Sequence, residues 1–64
     1  MPFIKVEILE GRTKEQRAAF AAEVTEAAIK CLGAQRERVR IRFIEMKPDD
    51  LARGGYLVSD ERAS

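Results

Sequence analysis

Alternation is the first pattern the chain offers. From Phe3 to Leu9, the residues Ile4, Val6 and Ile8 fall on one side and Phe3, Lys5, Glu7 and Leu9 on the other, which is the period-two signature of a strand. Glu10-Gly11-Arg12 breaks that pattern, and Thr13 with Gln16 three residues later forms a capping box that opens a helix. The helix is expected to run to about Leu32, with Gly33 as its stop, because a left-handed residue costs glycine little. On a helical wheel Phe20, Ala21, Val24, Ala27, Ala28, Cys31 and Leu32 share one broad stripe, with Gln16, Glu23, Glu26 and Lys30 opposite. Within it, Cys31 reads as a small buried hydrophobe. Glu26 and Lys30 read as an i,i+4 ion pair worth roughly 0.3 kcal/mol. Ala18, Ala22 and Ile29 form a flank where small residues could admit another subunit's helix.

Alternation returns from Val39 to Met46, with Val39, Ile41 and Phe43 on one side and Arg40, Arg42 and Ile44 on the other. Strand, long helix and strand with short connections predict an α/β fold, a βαβ unit with parallel strands and a right-handed crossover. Lys47-Pro48-Asp49-Asp50 then reads as a turn, and Gly54-Gly55 before Tyr56-Leu57-Val58 as a tight bend into a short strand or C-terminal hairpin. Asp60 to Ser64 is expected to be loose.

One helix covers only one face of a parallel sheet, so the opposite face, bearing Phe3, Leu9 and Ile44, is expected to meet another subunit. Length points the same way. A chain of 64 residues makes one domain, spanning 1–64, and a domain of this size buries only about 60% of the surface its unfolded chain exposes. A single Cys excludes an internal disulfide and no metal-ligand spacing is present, so oligomerisation is the supplement left. A homo-oligomer is expected.

Charge narrows the partners. Lys and Arg total 12 against 11 Asp and Glu, a net +1, so no long-range field recruits nucleic acid or an anionic membrane. No apolar run approaches the ~20 residues of a spanning helix, and the first residues hold no apolar signal segment, so a soluble, cytoplasmic chain is expected. Arg36, Arg38, Arg40 and Arg42 recur at alternate positions, but Glu37, Glu45, Asp49 and Asp50 lie close by and no aromatic interleaves them. Arg36 and Arg38 read as solvated or salt-bridged. The Arg40 and Arg42 face stays open to two readings, a non-enzymatic binding module or part of an oxyanion site.

With no His and one Cys, the usual bases and nucleophiles near neutral pH are nearly absent. Pro2 could supply one. Removal of Met1 leaves a secondary amine, and a free terminal amine has an unperturbed pKa of about 7.7 to 8.0 that nearby cations or an apolar wall lower. A retained Met1 would make that nitrogen an amide with no basicity. The other reading of Pro2 is the start of an edge strand, where a missing N–H is harmless. Arg12, before the helix cap, is either a solvated loop arginine or, with the orphan N–H groups of the first turn, a dock for a carboxylate.

Taken together, Pro2, Leu9-Glu10-Gly11-Arg12, the long helix, Val39-Arg40, Glu45-Met46 and Gly54-Gly55 resemble 4-oxalocrotonate tautomerase over nearly the whole chain. The resemblance implies βαβ subunits whose dimers form a four-stranded sheet backed by two helices, and three such dimers in a hexamer. It implies no metal or organic cofactor. Pro2 would be the general base, moving a proton from the hydroxyl of a 2-hydroxydienoate such as 2-hydroxymuconate to a distant carbon, in aromatic hydrocarbon catabolism. Arg40 would engage the carboxylate and carbonyl oxygen beside the reacting centre, and Arg12 the remote carboxylate. The backbone N–H of Leu9 would lie near the bound oxygens, in sites shared between subunits. Leu51 falls where the family has an aromatic wall, and Asp49, Asp50 and Arg53 alter the charge around the entrance. Superfamily branches that hydrate, dehalogenate or decarboxylate small acids use the same amine with an added carboxylate, for which Glu10, Glu45, Asp49 and Asp50 are the nearby candidates.

Overall fold

The computed structural model describes residues 2–61. Met1 and residues 62–64, part of the expected loose end, lie outside them. Strand β1 spans Phe3–Leu9, helix α1 Lys14–Leu32 and strand β2 Arg40–Met46. A short antiparallel hairpin follows, with β3 at Ala52–Arg53 and β4 at Tyr56–Leu57, and a final helical turn, α2, spans Val58–Glu61. β1 and β2 pair in parallel from Phe3↔Arg40 to Leu9↔Met46, so the helical crossover forms the βαβ unit.

Helix α1 is closed locally at both ends. Thr13 Oγ1 accepts from the Gln16 N–H at 3.1 Å, and the Thr13 N–H donates to Gln16 Oε1 at 2.9 Å, the reciprocal capping box. At the other end Gly33 takes φ 67°, and the N–H groups of Gly33 and Ala34 donate to the carbonyls of Ile29 and Ala28 at 3.1 and 3.3 Å.

The helix packs by a face rotated from the expected one. Arg17, Ala21, Val24, Thr25, Ala28 and Ile29 are at least half-buried, whereas Phe20, Ala27, Cys31 and Leu32 are exposed. Cys31 is therefore not a buried hydrophobe. Ala27, Cys31 and Leu32 border an open groove beside Ile4 of β1 instead of closing against the sheet. The rotation is fixed in part by an ion pair between Arg17 of α1 and Glu45 of β2, at 2.5 Å. In the parallel register Glu45 stands opposite Ile8, on the same sheet face as Val6 and Phe43, and that face meets the helix. Phe43 adds an edge-to-face contact with Phe20, ring centres 6.1 Å apart.

Three smaller expectations are corrected. Val39 precedes β2 instead of opening it, because its N–H closes a 3-10 turn over Arg36–Arg38 by donating to the Arg36 carbonyl at 3.3 Å. Glu26 pairs with Arg36, at 2.7 Å, a partner that the turn brings back over the helix and that sequence spacing did not suggest, where Lys30 was expected. Val58, Asp60 and Glu61 are helical, and the Val58 N–H donates to the Leu51 carbonyl at 2.8 Å, which ties α2 to the hairpin. The turn after Met46 is a 3-10 turn over Pro48–Asp50.

Among the described residues only Ala28, 5% exposed, is a buried apolar side chain, while Phe3, Leu32 and Tyr56 are 75%, 70% and 67% exposed. The core is thus incomplete in a single chain. The thermal midpoint of the folded protein is accordingly expected to fall on dilution, as scans over a hundredfold concentration range would reveal; a midpoint independent of concentration would show that one chain suffices. Thr13→Ala should lower stability by about 1 kcal/mol per chain in chemical denaturation, by removing the acceptor for the Gln16 N–H.

Candidate active site

Two of the residues singled out in the sequence meet at one end of the sheet. Pro2 precedes β1, and its carbonyl oxygen accepts from the backbone N–H of Arg40 at 3.1 Å, next to the Phe3↔Arg40 pair. The ladder thereby sets the start of the chain against the first residue of β2. Arg40 donates its Nη1–H to the Glu37 carbonyl at 2.6 Å, so the guanidinium is drawn towards the Arg36–Arg38 turn. Pro2 is half-buried and lines an open groove of about 530 Å³ with Leu32, Gly33, Ala34, Gln35 and Arg38. Its walls are the last turn of α1, the connection after it and the 3-10 turn.

Arg12, Leu9 and Leu51 stand elsewhere. Pro2 precedes the seven-residue strand that Leu9 ends, which at ~3.3 Å per residue separates the two by roughly 20 Å. Leu9 shares a shallow groove with Leu51, Ala52, Arg53 and Val58, where the hairpin folds back beside the end of β1. Arg12 follows Gly11, whose φ of 122° strains any other residue and turns the chain from β1 into the cap of α1. Its side chain is exposed. One chain thus joins Pro2 with Arg40 and Leu9 with Leu51, and holds the two pairs a strand length apart.

Two of the four candidate carboxylates are committed to structure. Glu45 is bound by Arg17, and Asp50 Oδ2 accepts from the Lys47 N–H at 3.2 Å. The Glu10 backbone N–H donates to the Met46 carbonyl at 2.8 Å, and the Glu10 and Asp49 side chains are exposed. Among the described residues no group of three or more His, Cys, Asp or Glu side chains is placed to hold a metal ion. None of their helices is long and apolar enough to cross a membrane.

Arg36, Arg38, Arg40 and Arg42 do not form one stripe. Arg36 is salt-bridged, as expected. Arg42 and Arg40 lie on the outer sheet face, lining a second groove with Phe3, Ile4, Lys5 and Ile41. Arg38 is exposed and engaged within the chain, as expected, and the 3-10 turn also sets it on the Pro2 groove.

Known proteins share this fold. A probable tautomerase of Listeria monocytogenes serotype 4b (strain F2365) is 43% identical over 60 residues, which cover 94% of this chain and 98% of the relative. TomN, a 4-oxalocrotonate tautomerase homologue in the tomaymycin biosynthetic pathway, superposes with a TM-score of 0.94 at 40% identity, over 98% of this chain and 97% of TomN. A heterohexamer 4-oxalocrotonate tautomerase from Chloroflexus aurantiacus J-10-fl superposes with a TM-score of 0.86 at 28% identity, over 94% and 97% of the two chains. The family model described as tautomerase enzyme matches residues 2–61, the whole described structure, and the chain belongs to that family.

Proposed function

We propose that this tautomerase acts without a cofactor on a 2-hydroxydienoate such as 2-hydroxymuconate, with the Pro2 amine as general base once Met1 is removed. The observation that carries this reading is the 3.1 Å bond from the Arg40 N–H to the Pro2 carbonyl, which keeps the candidate base and a guanidinium at one end of the sheet. In the reaction the neutral amine takes the proton of the enol O–H, the π electrons shift along the diene, and the amine returns a proton to a distant carbon. The product is the conjugated 2-oxo acid. Arg40 stabilises the charge that develops on the oxygen and carboxylate of the dienolate, exchanging its contact with the Glu37 carbonyl for the substrate.

The complete site is shared between subunits. A six-carbon diacid held at Pro2 does not extend a strand length to Arg12 of the same chain, so Arg12, the Leu9 N–H and the Leu51 wall act from neighbouring copies. The same assembly covers Phe3 and the outer sheet face, as a dimer with a four-stranded sheet backed by two helices, and three dimers form a hexamer. Leu51 gives the pocket an apolar wall with less area than a ring. The free thiol of Cys31 agrees with a reducing cytoplasm, and degradation of aromatic compounds is the proposed setting.

Absorbance change as 2-hydroxymuconate converts to its conjugated ketone tests the reading, on protein whose mass shows Met1 removed. Pro2→Ala is expected to lower kcat by about 100-fold or more, and protein retaining Met1 to be as inactive. Turnover undiminished in either would sink the role of Pro2. Arg40→Ala should cost about 100-fold in kcat. kcat/KM is expected to rise with pH through the titration of the amine, since only its neutral form accepts the proton; a rate that falls over that range would contradict a base.

A further inference from the structure

We propose that Arg38 helps seat the remote substrate carboxylate in the Pro2 groove, alongside Arg12 of a neighbouring copy, and so strengthens the selection of acids with two carboxylates over acids with one. The proposal rests on the reading of Pro2 as the reacting group. Its first support is position. Arg38 and Pro2 line the same groove, while Arg12 of the same chain stands a strand length away.

The second support is the sign of the field. The same groove is lined by Leu32, Gly33 and Ala34, at the C-terminal end of a 19-residue helix. A helix C-terminus carries partial negative charge, which repels a carboxylate and favours the protonated form of an amine. Both effects oppose a neutral base working on an acid. A guanidinium lining the same groove opposes that field for both groups.

The third support is how the turn is built. The Arg38 N–H donates to the Gln35 carbonyl at 2.9 Å, which closes the 3-10 turn. Its neighbours point to other acceptors, Arg36 to Glu26 and Arg40 to the Glu37 carbonyl. Arg38 is also engaged within the chain. A guanidinium carries five donors, so a carboxylate can be added or exchanged there as a bidentate partner.

Calorimetric titration of the assembled, processed protein with two unreactive six-carbon dienoic acids provides the test. Muconate carries two carboxylates and sorbate one. Arg38→Gln is expected to weaken muconate about tenfold or more and to leave sorbate within about twofold. Arg38→Lys, which keeps the charge and loses the fork, should weaken muconate alone by about threefold, and it serves if the Gln variant fails to assemble. Equal weakening of both acids, no weakening of either, or a wild-type protein that does not prefer muconate would overturn the proposal. Binding needs no turnover, so the two readings fail separately. Selective loss of muconate binding without Pro2-dependent turnover would leave Arg38 standing and remove the tautomerase assignment of Pro2, and the converse result would do the opposite.

Discussion

Everything that is positioned in this molecule hangs on the parallel ladder from Phe3↔Arg40 to Leu9↔Met46. Because the strands run the same way, the start of β1 lies beside the start of β2, and the two ends of the sheet are chemically different. One end holds Pro2, Arg40 and, through the turn before β2, Arg38. The other holds Leu9, the hairpin with Leu51, and the entry to α1. A one-residue slip of β2 against β1 would turn its side chains to the opposite face and carry Glu45 away from Arg17, so the ion pair and the apolar faces select the same register.

The scarcity of core in one chain and the separation of the candidate site residues have the same origin. Two strands and one helix leave an uncovered sheet face and an exposed helix flank, and they leave Arg12 far from Pro2. Neighbouring copies that cover the apolar surface would also bring the far end of one sheet to the near end of another. In that arrangement a substitution at Phe3 or Tyr56 alters catalysis without touching substrate, because packing and site assembly draw on the same contacts.

The sequence was most legible where the signal is local. The alternation of β1, the Thr13 and Gln16 box and the Gly33 stop each depend on residues within a turn of one another, and the structure has them where they were expected. The hairpin followed from Gly54-Gly55, and the family from short motifs spread along the chain. Reading failed where a feature depends on the third dimension. Cys31 lies on an apolar stripe, yet it borders an open groove beside Ile4 and stays exposed. The Arg17 and Glu45 pair joins residues far apart in the chain, which periodicity does not report. The run of alternating arginines extends past the strand into a turn, so identical spacing puts Arg36 on a helix glutamate and Arg38 on a groove.

The two sealed ends of α1 bear on the order of folding. Both caps are formed by residues close in sequence, so the helix can form and persist before anything distant meets it. The β1 and β2 ladder, in contrast, closes a loop that includes the entire helix, and loop-closure entropy must be overcome before any strand contact repays it. The sheet is therefore the late event. Its outer face is also the one left for another chain, so a newly made copy finishes folding at about the moment it becomes able to recognise a second one, and the time during which an unpaired β1 or β2 edge is open to wrong partners is set by concentration as much as by sequence.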